Sequence, residues 1–118
     1  MADQQVTIYH NPRCKKSKET LQLLKDNGVK PEIIEYLNTP PSKAELQRLL
    51  DLMGIKPYEL IRRQEKIFKE NYKGKELSDD EWLDVLINNP KLIERPIVVK
   101  GDKAAIGRPP ENALEVIQ

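Results

Sequence analysis

The first 36 residues of the chain carry a strand–helix–strand pattern, which constrains the fold more than any other feature of the sequence. Residues 6–9 (VTIY) alternate apolar and polar side chains, as a short strand does. A helical pattern follows from about Lys15 to Gly28, and residues 32–36 favour a second strand. Because a helix connects them, the two strands are predicted to be parallel, with a right-handed crossover.

The middle of the chain is predicted to be helical. Ser42 and Glu45, and again Ser78 and Glu81, have the spacing of a capping box at a helix N-terminus. Apolar residues then recur three and four positions apart, which is the period of one helix face. Residues 57–72 show the same pattern with interruptions. Together these patterns predict a helical insertion from about residue 42 to residue 90.

A predicted hairpin near the C-terminus places two arginines opposite each other. Two short strand-like runs flank Gly101-Asp102, which is typical of a two-residue hairpin turn. The register that this turn sets pairs Arg95 with Arg108. Two facing guanidinium groups repel each other by up to about 1 kcal/mol, and an oxyanion bound between them would reverse that sign. The alternative is that both side chains lie in solvent or pair with neighbouring glutamates.

The last segment is predicted to be a helix opened by Pro109-Pro110, with Leu114 and Ile117 on its buried face. The order of elements is then β-α-β, a helical insertion, and β-β-α. We therefore expect an α/β fold in a single domain spanning residues 1–118, since this length supports one hydrophobic core.

The charge balance argues against binding to nucleic acid or to an anionic membrane. The chain has 20 basic and 19 acidic residues, for a net charge of +1. So small a net charge creates no global field that would attract a polyanion. Any recognition of an anion must come from a local cluster.

Cysteine usage and hydropathy predict a cytoplasmic protein. The single cysteine excludes a disulfide framework and a cysteine-rich zinc site, and no metal site is expected. No run of residues has the length of a membrane span, and the N-terminus lacks the apolar core of a signal peptide. A reducing cytosol, where Cys14 stays a free thiol, fits these features.

The single thiol, Cys14, is predicted to be reactive. It lies at the N-terminal edge of the helix that begins near Lys15, where unpaired amides and the helix dipole favour negative charge. Arg13 and three lysines surround it in the sequence, and we expect its pKa to be lowered. The alternative is a buried cysteine acting as a small apolar residue. The position after Asn11-Pro12, in a loop amid cations, argues against burial.

The spacing around Cys14 excludes two other thiol chemistries. Ser17 stands where a dithiol redox motif has its second cysteine, so no internal disulfide can form. Thr20 stands where a phosphatase loop would have its arginine. His10 is either a structural loop residue, which we favour, or a base for the thiol. With one cysteine, any redox turnover must use an external thiol.

Four ordered motifs resemble the glutaredoxin-coupled arsenate reductase (ArsC) family: YHNPRCKKSKETL, ELIRR, ERPIVV and IGRPPE. The resemblance extends from about Val6 to Ile117. It implies a thioredoxin/glutaredoxin-like fold, with a four-stranded mixed sheet and a helical insertion. It also implies the reduction of arsenate to arsenite.

The resemblance further implies a role for each matching residue. Cys14 would be the nucleophile that attacks arsenate. The oxyanion would be held, and the thiol pKa lowered, by three arginines: Arg62, Arg95 and Arg108. His10, Asn11 and Ser17 would shape the loop around the cysteine, and Pro96 would be a cis-proline facing the active site. The sequence leaves open whether Arg62 or its neighbour Arg63 enters the site.

The implied mechanism uses glutathione as a co-substrate and no bound cofactor or metal. The Cys14 thiolate attacks As(V) and displaces water or hydroxide. Glutathione then attacks the arsenic bound to the cysteine, arsenite leaves, and a mixed disulfide with Cys14 remains. Glutaredoxin reduces this disulfide.

Two other classes of protein fit part of the pattern. A Spx-like transcriptional regulator shares this fold and binds RNA polymerase, but that group typically carries a Cys-x-x-Cys switch, and this chain has Ser17 at the second position. A glutathione-dependent thiol reductase, or a glutathione-binding protein, could use the same pocket on another substrate. In that case the arginines would hold glutathione carboxylates.

Overall fold

The strand-forming segments lie near both ends of the chain, and they come together in the first of two units. The computed structural model describes residues 5–118. Its first unit contains the described residues up to Thr39 together with Arg95–Gln118, and its second unit is Pro40–Glu94. The predicted helical insertion, residues 42–90, lies within the second unit.

The first unit contains a four-stranded mixed sheet, which confirms the predicted sheet. Its strands are β1 (Val6–His10), β2 (Glu32–Glu35), β3 (Ile97–Lys100) and β4 (Lys103–Ile106), in the spatial order β2-β1-β3-β4. β1 pairs in parallel with β2 and antiparallel with β3, and β3 pairs antiparallel with β4. The helices of this unit are α1 (Lys15–Asp26) and α5 (Asn112–Ile117), the first and last of the chain.

The hairpin of β3 and β4 has the register that the sequence predicts. Lys100 pairs with Lys103, and Ile97 pairs with Ile106. Gly101 has a φ of 60°, a left-handed conformation that glycine adopts without steric cost. The turn therefore needs no bulge. Arg95 precedes β3 and Arg108 follows β4, so both lie at the open end of the hairpin.

The core of the first unit lies between the sheet and the helices α1 and α5. Strand residues alternate inward and outward, so one set from each central strand joins this core. α1 contributes Leu24, and α5 contributes Ala113 and Val116, all with at most 2% of their surface exposed. The buried cluster consists of Val6, Ile8, Leu24, Val98, Ala113 and Val116.

The prediction for the last helix is wrong in the residue at which the helix begins and in the residues that face the core. α5 begins at Asn112, not at Pro109. Pro110 disfavours the helical conformation at the residue before it, so the two prolines form a turn that precedes the helix. The buried face consequently holds Ala113 and Val116, whereas Leu114 and Ile117 are only partly buried.

The second unit is helical, as predicted. Its capped starts follow the sequence signals: Ser78 and Glu81 form a complete capping box, and Ser42 Oγ accepts a hydrogen bond from the Glu45 N–H at 3.1 Å. No helix within residues 5–118 has both the length and the apolar character that a membrane crossing requires. The helices of this unit are α2 (Lys43–Met53), α3 (Lys66–Asn71) and α4 (Asp79–Asn88), with 3-10 turns at Pro57–Leu60 and Pro90–Leu92.

Candidate functional site

The loop between β1 and α1 is a tight turn that carries Cys14. Cys14 N–H donates to the Asn11 carbonyl at 3.0 Å, which closes the turn. The Asn11 side chain also takes part, because its Oδ1 accepts from the Arg13 N–H at 3.0 Å. Asn11 therefore satisfies two backbone donors of this loop, and its own side chain is buried.

His10 and Ser17 fix the position of this loop through hydrogen bonds. Ser17 Oγ accepts a hydrogen bond from the Asn11 N–H at 3.0 Å and lies 2.6 Å from His10 Nδ1. All three residues are buried, and a buried polar group without a partner is costly, so these contacts fix the loop relative to α1. The structure thus brings His10, Asn11 and Ser17 together around the turn that precedes Cys14.

Cys14 is the N-cap residue of α1. Its φ and ψ of −95° and 125° are extended, and the helix begins at the next residue. This position faces the free N–H groups of the first helical turn, which favour a negative charge. The expectation that Cys14 escapes burial is wrong, since only 8% of its surface is exposed. The closed turn on one side and the hairpin arginines on the other cover it.

The hairpin brings Arg95 and Arg108 to the thiol. Arg108 Nη2 lies 3.4 Å from Cys14 Sγ, and Arg108 Nε donates to the Arg95 carbonyl at 2.8 Å. The second bond orients the guanidinium, so its outer nitrogen points at the sulfur. Arg95 Nε is buried and has no hydrogen-bond acceptor among residues 5–118. A donor in this state is suited to an oxyanion that enters the site.

The pKa of the Cys14 thiol is lowered from its ordinary value. Burial acts in the opposite direction and is the largest single influence, because it disfavours the charged form. The Ser17 backbone N–H and the guanidinium groups of Arg95 and Arg108 together outweigh it. The cations that stabilise the thiolate thus come from the distant hairpin.

His10 stays neutral more readily than an ordinary histidine. Burial lowers its pKa most, the Glu35 carboxylate opposes that shift, and Lys25 and Lys18 reinforce it. With Nδ1 2.6 Å from the Ser17 hydroxyl, the neutral ring is a hydrogen-bonding partner that supports the loop.

We expect the alkylation of Cys14 by iodoacetamide to reach its plateau at a lower pH than that of a free thiol. The reagent is neutral, and only the thiolate reacts, so the rate follows the deprotonated fraction as the pH rises through the pKa. A pH–rate profile gives the midpoint directly. Arg108→Gln should move the midpoint upward, because a positive charge is removed. A midpoint at or above about 8.5 in the natural protein would contradict the electrostatic role of the arginines.

A close contact between α1 and the hairpin was not predicted from the sequence. Thr20 Oγ1 donates to the Lys16 carbonyl at 2.8 Å and lies 3.2 Å from the Gly107 carbonyl. A Cβ atom at Gly107 would lie 2.7 Å from Thr20 Oγ1 and 2.9 Å from Pro96 Cγ. Only glycine allows this approach, which sets the position of Arg108 relative to Cys14.

We expect Gly107→Ala to lower the free energy of unfolding by about 1–3 kcal/mol, as other overpacking substitutions do. Neither neighbour is a flexible side-chain end, so the hairpin must shift. The same substitution in a Thr20→Ala background should cost less, since the nearest clashing atoms are then absent. Urea denaturation of the natural protein, the two single variants and the double variant gives the loss of unfolding free energy caused by Gly107→Ala in each background. Equal costs in the two backgrounds would show that this contact does not position the hairpin.

Pro96 and Gly107 form the next pair of the hairpin beyond the strands. Gly107 N–H donates to the Pro96 carbonyl at 2.8 Å. The Arg95–Pro96 peptide bond is cis, as the resemblance implies, and the Arg108–Pro109 bond is also cis. Pro96 is buried, and its side chain lies against the position of Gly107.

Arg62 belongs to the second unit. It follows an isolated pairing of Ile61 with Ile93, and its N–H donates to the Leu92 carbonyl at 2.7 Å. Its side chain is 11% exposed and forms ion pairs with Glu65 at 3.4 Å and Glu94 at 3.9 Å. Arg63 instead lies over the Tyr58 ring, 4.7 Å from its centroid. The role of Arg62 at the oxyanion stays a prediction.

The site within the first unit contains a nucleophile and cationic donors. Among residues 5–118, no three His, Cys, Asp or Glu residues lie close enough together to hold a metal ion. The arrangement of a thiolate, two guanidinium groups and a helix N-terminus can attack an electrophilic centre that carries anionic oxygens.

Known proteins of one family resemble this chain over nearly its whole length. The sequence profile of the ArsC family matches residues 9–116. The chain is 52% identical over 115 residues to the uncharacterized protein YfgD of Escherichia coli K12, covering 96% of this chain and 97% of YfgD. It is 44% identical over 114 residues to an arsenate reductase of Haemophilus influenzae, covering 95% of this chain and 98% of the reductase.

Solved structures give the same result. The arsenate reductase from Vibrio cholerae superposes with a TM-score of 0.91 at 46% sequence identity, over 98% of this chain and 99% of that chain. The likeness of sequence extends over nearly the whole chain, and so does the likeness of fold. The protein, with its thioredoxin-like α/β fold, belongs to the ArsC family.

Proposed function

We propose that the protein is an arsenate reductase in which Cys14 is the nucleophile and glutathione and glutaredoxin are the reductants. Relatives with the name arsenate reductase are 37–44% identical to this chain over at least 95% of its length. The single observation that carries the proposal is the position of Arg108 Nη2, 3.4 Å from Cys14 Sγ, beside the buried Arg95 Nε that lacks an acceptor.

Arsenate suits this pair of arginines for two reasons. Two oxygens of the tetrahedral arsenate can accept two parallel hydrogen bonds from one planar guanidinium. An arsenate bound between Arg95 and Arg108 would also supply the acceptor that Arg95 Nε lacks, and it would relieve the repulsion between the two cations. We propose Arg62 as a third ligand, following the family motif.

In the first step, the Cys14 sulfur forms a bond to arsenic, and an arsenate hydroxyl takes a proton and leaves as water. Arsenic remains As(V). The arginines oppose the negative charge on the remaining oxygens, which is largest as the new bond forms. The lowered pKa of Cys14 supplies the thiolate at neutral pH.

Glutathione then adds to the same arsenic, and a second water leaves. As both S–As bonds break, the two sulfurs form a disulfide and arsenic keeps one electron pair, so As(V) becomes As(III). Arsenite leaves after taking up one water. Glutaredoxin attacks the glutathione sulfur of the mixed disulfide, and Cys14 departs as a thiolate. The external thiol is required because the chain has a single cysteine.

An assay that couples arsenate reduction to NADPH oxidation tests this function. The mixture contains glutathione, glutathione reductase and glutaredoxin, and arsenite is measured separately as the product. We expect NADPH oxidation that depends on both arsenate and this protein, with one arsenite formed for each NADPH. Oxidation in the presence of a disulfide substrate, with none in the presence of arsenate, would instead identify a glutathione-dependent thiol reductase.

A further inference from the structure

A cavity of about 290 Å³ in the first unit adjoins the cysteine loop, and the proposed reaction does not yet use it. His10, at the end of β1, and residues 11–13 of the loop line one side of it. The other wall comes from the end of β2 and the segment after it, with Glu35, Leu37 and Asn38. The cavity is thus built by two separate stretches of chain, next to the nucleophile.

The lining carries opposite charges. The Arg13 side chain forms no ion pair or hydrogen bond with any residue of the described chain, 5–118. Glu35 Oε1 accepts one long hydrogen bond, from Asn38 Nδ2 at 3.4 Å, and the Glu35 carboxylate also opposes the burial that lowers the pKa of the nearby His10. Leu37 is 43% exposed and offers apolar contact beside them. A ligand with a carboxylate, an ammonium and a short aliphatic chain matches this lining.

The cavity is close enough to Cys14 for a small peptide thiol to span the distance. Arg13 directly precedes Cys14, and consecutive Cα atoms are about 3.8 Å apart. A tripeptide extends roughly 10 Å, so its sulfur can reach the cysteine while one end stays in the cavity. The lining residues that precede Cys14 also belong to the turn closed by the Asn11–Cys14 hydrogen bond, which holds the anchor and the thiol together.

We propose that this cavity binds the zwitterionic amino-acid end of the peptide thiol that reacts at Cys14, with Arg13 holding its carboxylate and Glu35 its ammonium. In glutathione these groups are the α-carboxylate and α-ammonium of the γ-glutamyl residue. The inference rests on the proposed function only in taking a peptide thiol as the co-substrate. It assigns binding roles to Arg13 and Glu35.

A thiol–disulfide exchange at Cys14 tests the site without arsenate. Cys14 is first converted to a mixed disulfide with thionitrobenzoate. The glutathione thiolate then attacks the Cys14 sulfur, a new S–S bond forms, and thionitrobenzoate leaves with the electron pair of the broken bond. Its absorbance gives the second-order rate constant. Each rate is divided by the rate with 2-mercaptoethanol, which lacks both charged groups.

The first comparison isolates the ammonium. N-acetylglutathione keeps both carboxylates and lacks the ammonium. The rates of both thiols with a small mixed disulfide of thionitrobenzoate are also measured, and they correct for the difference in intrinsic reactivity. We expect the natural protein to favour glutathione by about three- to tenfold, and Glu35→Gln to remove that preference. Glu32→Gln is the matched control, because Glu32 lies on the same strand outside the cavity and contacts Thr7.

The second comparison isolates the carboxylate. Arg13→Gln should slow the reaction with glutathione by a similar factor, whereas Lys15→Gln, with the same loss of charge on the other side of Cys14, should not. The proposal is overturned if Glu35→Gln keeps the preference for glutathione, or if the matched controls slow the reaction as much. The exchange reaction contains no arsenate. If the natural protein prefers glutathione over N-acetylglutathione but does not reduce arsenate, only the proposed arsenate reductase activity is rejected.

Discussion

Cys14→Ser is expected to abolish arsenate reduction, with a loss of at least about a thousandfold. A serine hydroxyl stays protonated near neutral pH and is a far weaker nucleophile than a thiolate, so the bond to arsenic does not form. The chain contains one cysteine, so no second thiol can replace it. The coupled NADPH assay and direct measurement of arsenite both report the loss.

The fold should survive this substitution, which keeps the result specific to the chemistry. Serine is slightly smaller than cysteine, and the hydrogen bond from the Cys14 N–H to Asn11 involves only the backbone. Thermal unfolding that stays within a few degrees of the natural protein serves as the control. Arsenite formation by Cys14→Ser at more than a few per cent of the natural rate would reject Cys14 as the nucleophile.

The pairing of Arg95 with Arg108 was predictable because it depends on local turn geometry. A two-residue turn at Gly101-Asp102 fixes every pair outward along the hairpin, and the observed register agrees. The sequence could therefore bring together two residues of the site that are thirteen positions apart. The start of α1 beside Cys14 was predictable for the same reason, since helix boundaries have local signals.

Contacts between distant segments were not predictable in this way. The approach of Thr20 to Gly107 joins residues 87 positions apart, and neither residue shows a local sign of it. The contact of Arg108 with the Cys14 sulfur joins residues 94 positions apart, so the burial of Cys14 also involves a distant segment. The loop sequence alone suggested exposure. Gly107 permits a close approach, but a glycine alone does not indicate which residue approaches it.

Which residues of the last helix face the core could not be predicted for a different reason. Two prolines can begin a helix or precede it, and the choice turns on the backbone at Pro109, which Pro110 constrains. A shift of three residues in the start moves the buried face from Leu114 and Ile117 to Ala113 and Val116. Burial predictions in short helices are thus as uncertain as the helix boundary.

The basic residues near Cys14 in the sequence differ in where the structure places them. The basic residues around Cys14 first suggested electrostatic activation of the thiol. In the structure, that activation comes from Arg95 and Arg108, and Arg13 lines the neighbouring cavity. The charge of Arg13 is therefore available for the binding of a second reactant, as proposed above.

Arg108→Lys is expected to lower kcat/KM for arsenate by about a hundredfold, although the charge is kept. Arg108 uses two nitrogens at once: Nε donates to the Arg95 carbonyl, and Nη2 lies beside Cys14 Sγ. Lysine has one nitrogen on a flexible stem, so it cannot hold the carbonyl and face the sulfur and the oxyanion at the same time. Loss of one such donor typically costs about 10²–10³ in rate.

The pH profile of Cys14 alkylation separates geometry from charge. Arg108→Lys should leave the midpoint close to that of the natural protein, because a cation still lies near the thiolate, whereas Arg108→Gln should raise it. If the planar guanidinium of Arg108 is required to orient the oxyanion, Arg108→Lys loses arsenate turnover while the pKa of its Cys14 thiol stays close to that of the natural protein. If it instead keeps more than a third of the natural kcat/KM, positive charge alone suffices at this position, and oriented binding of the oxyanion by Arg108 is excluded.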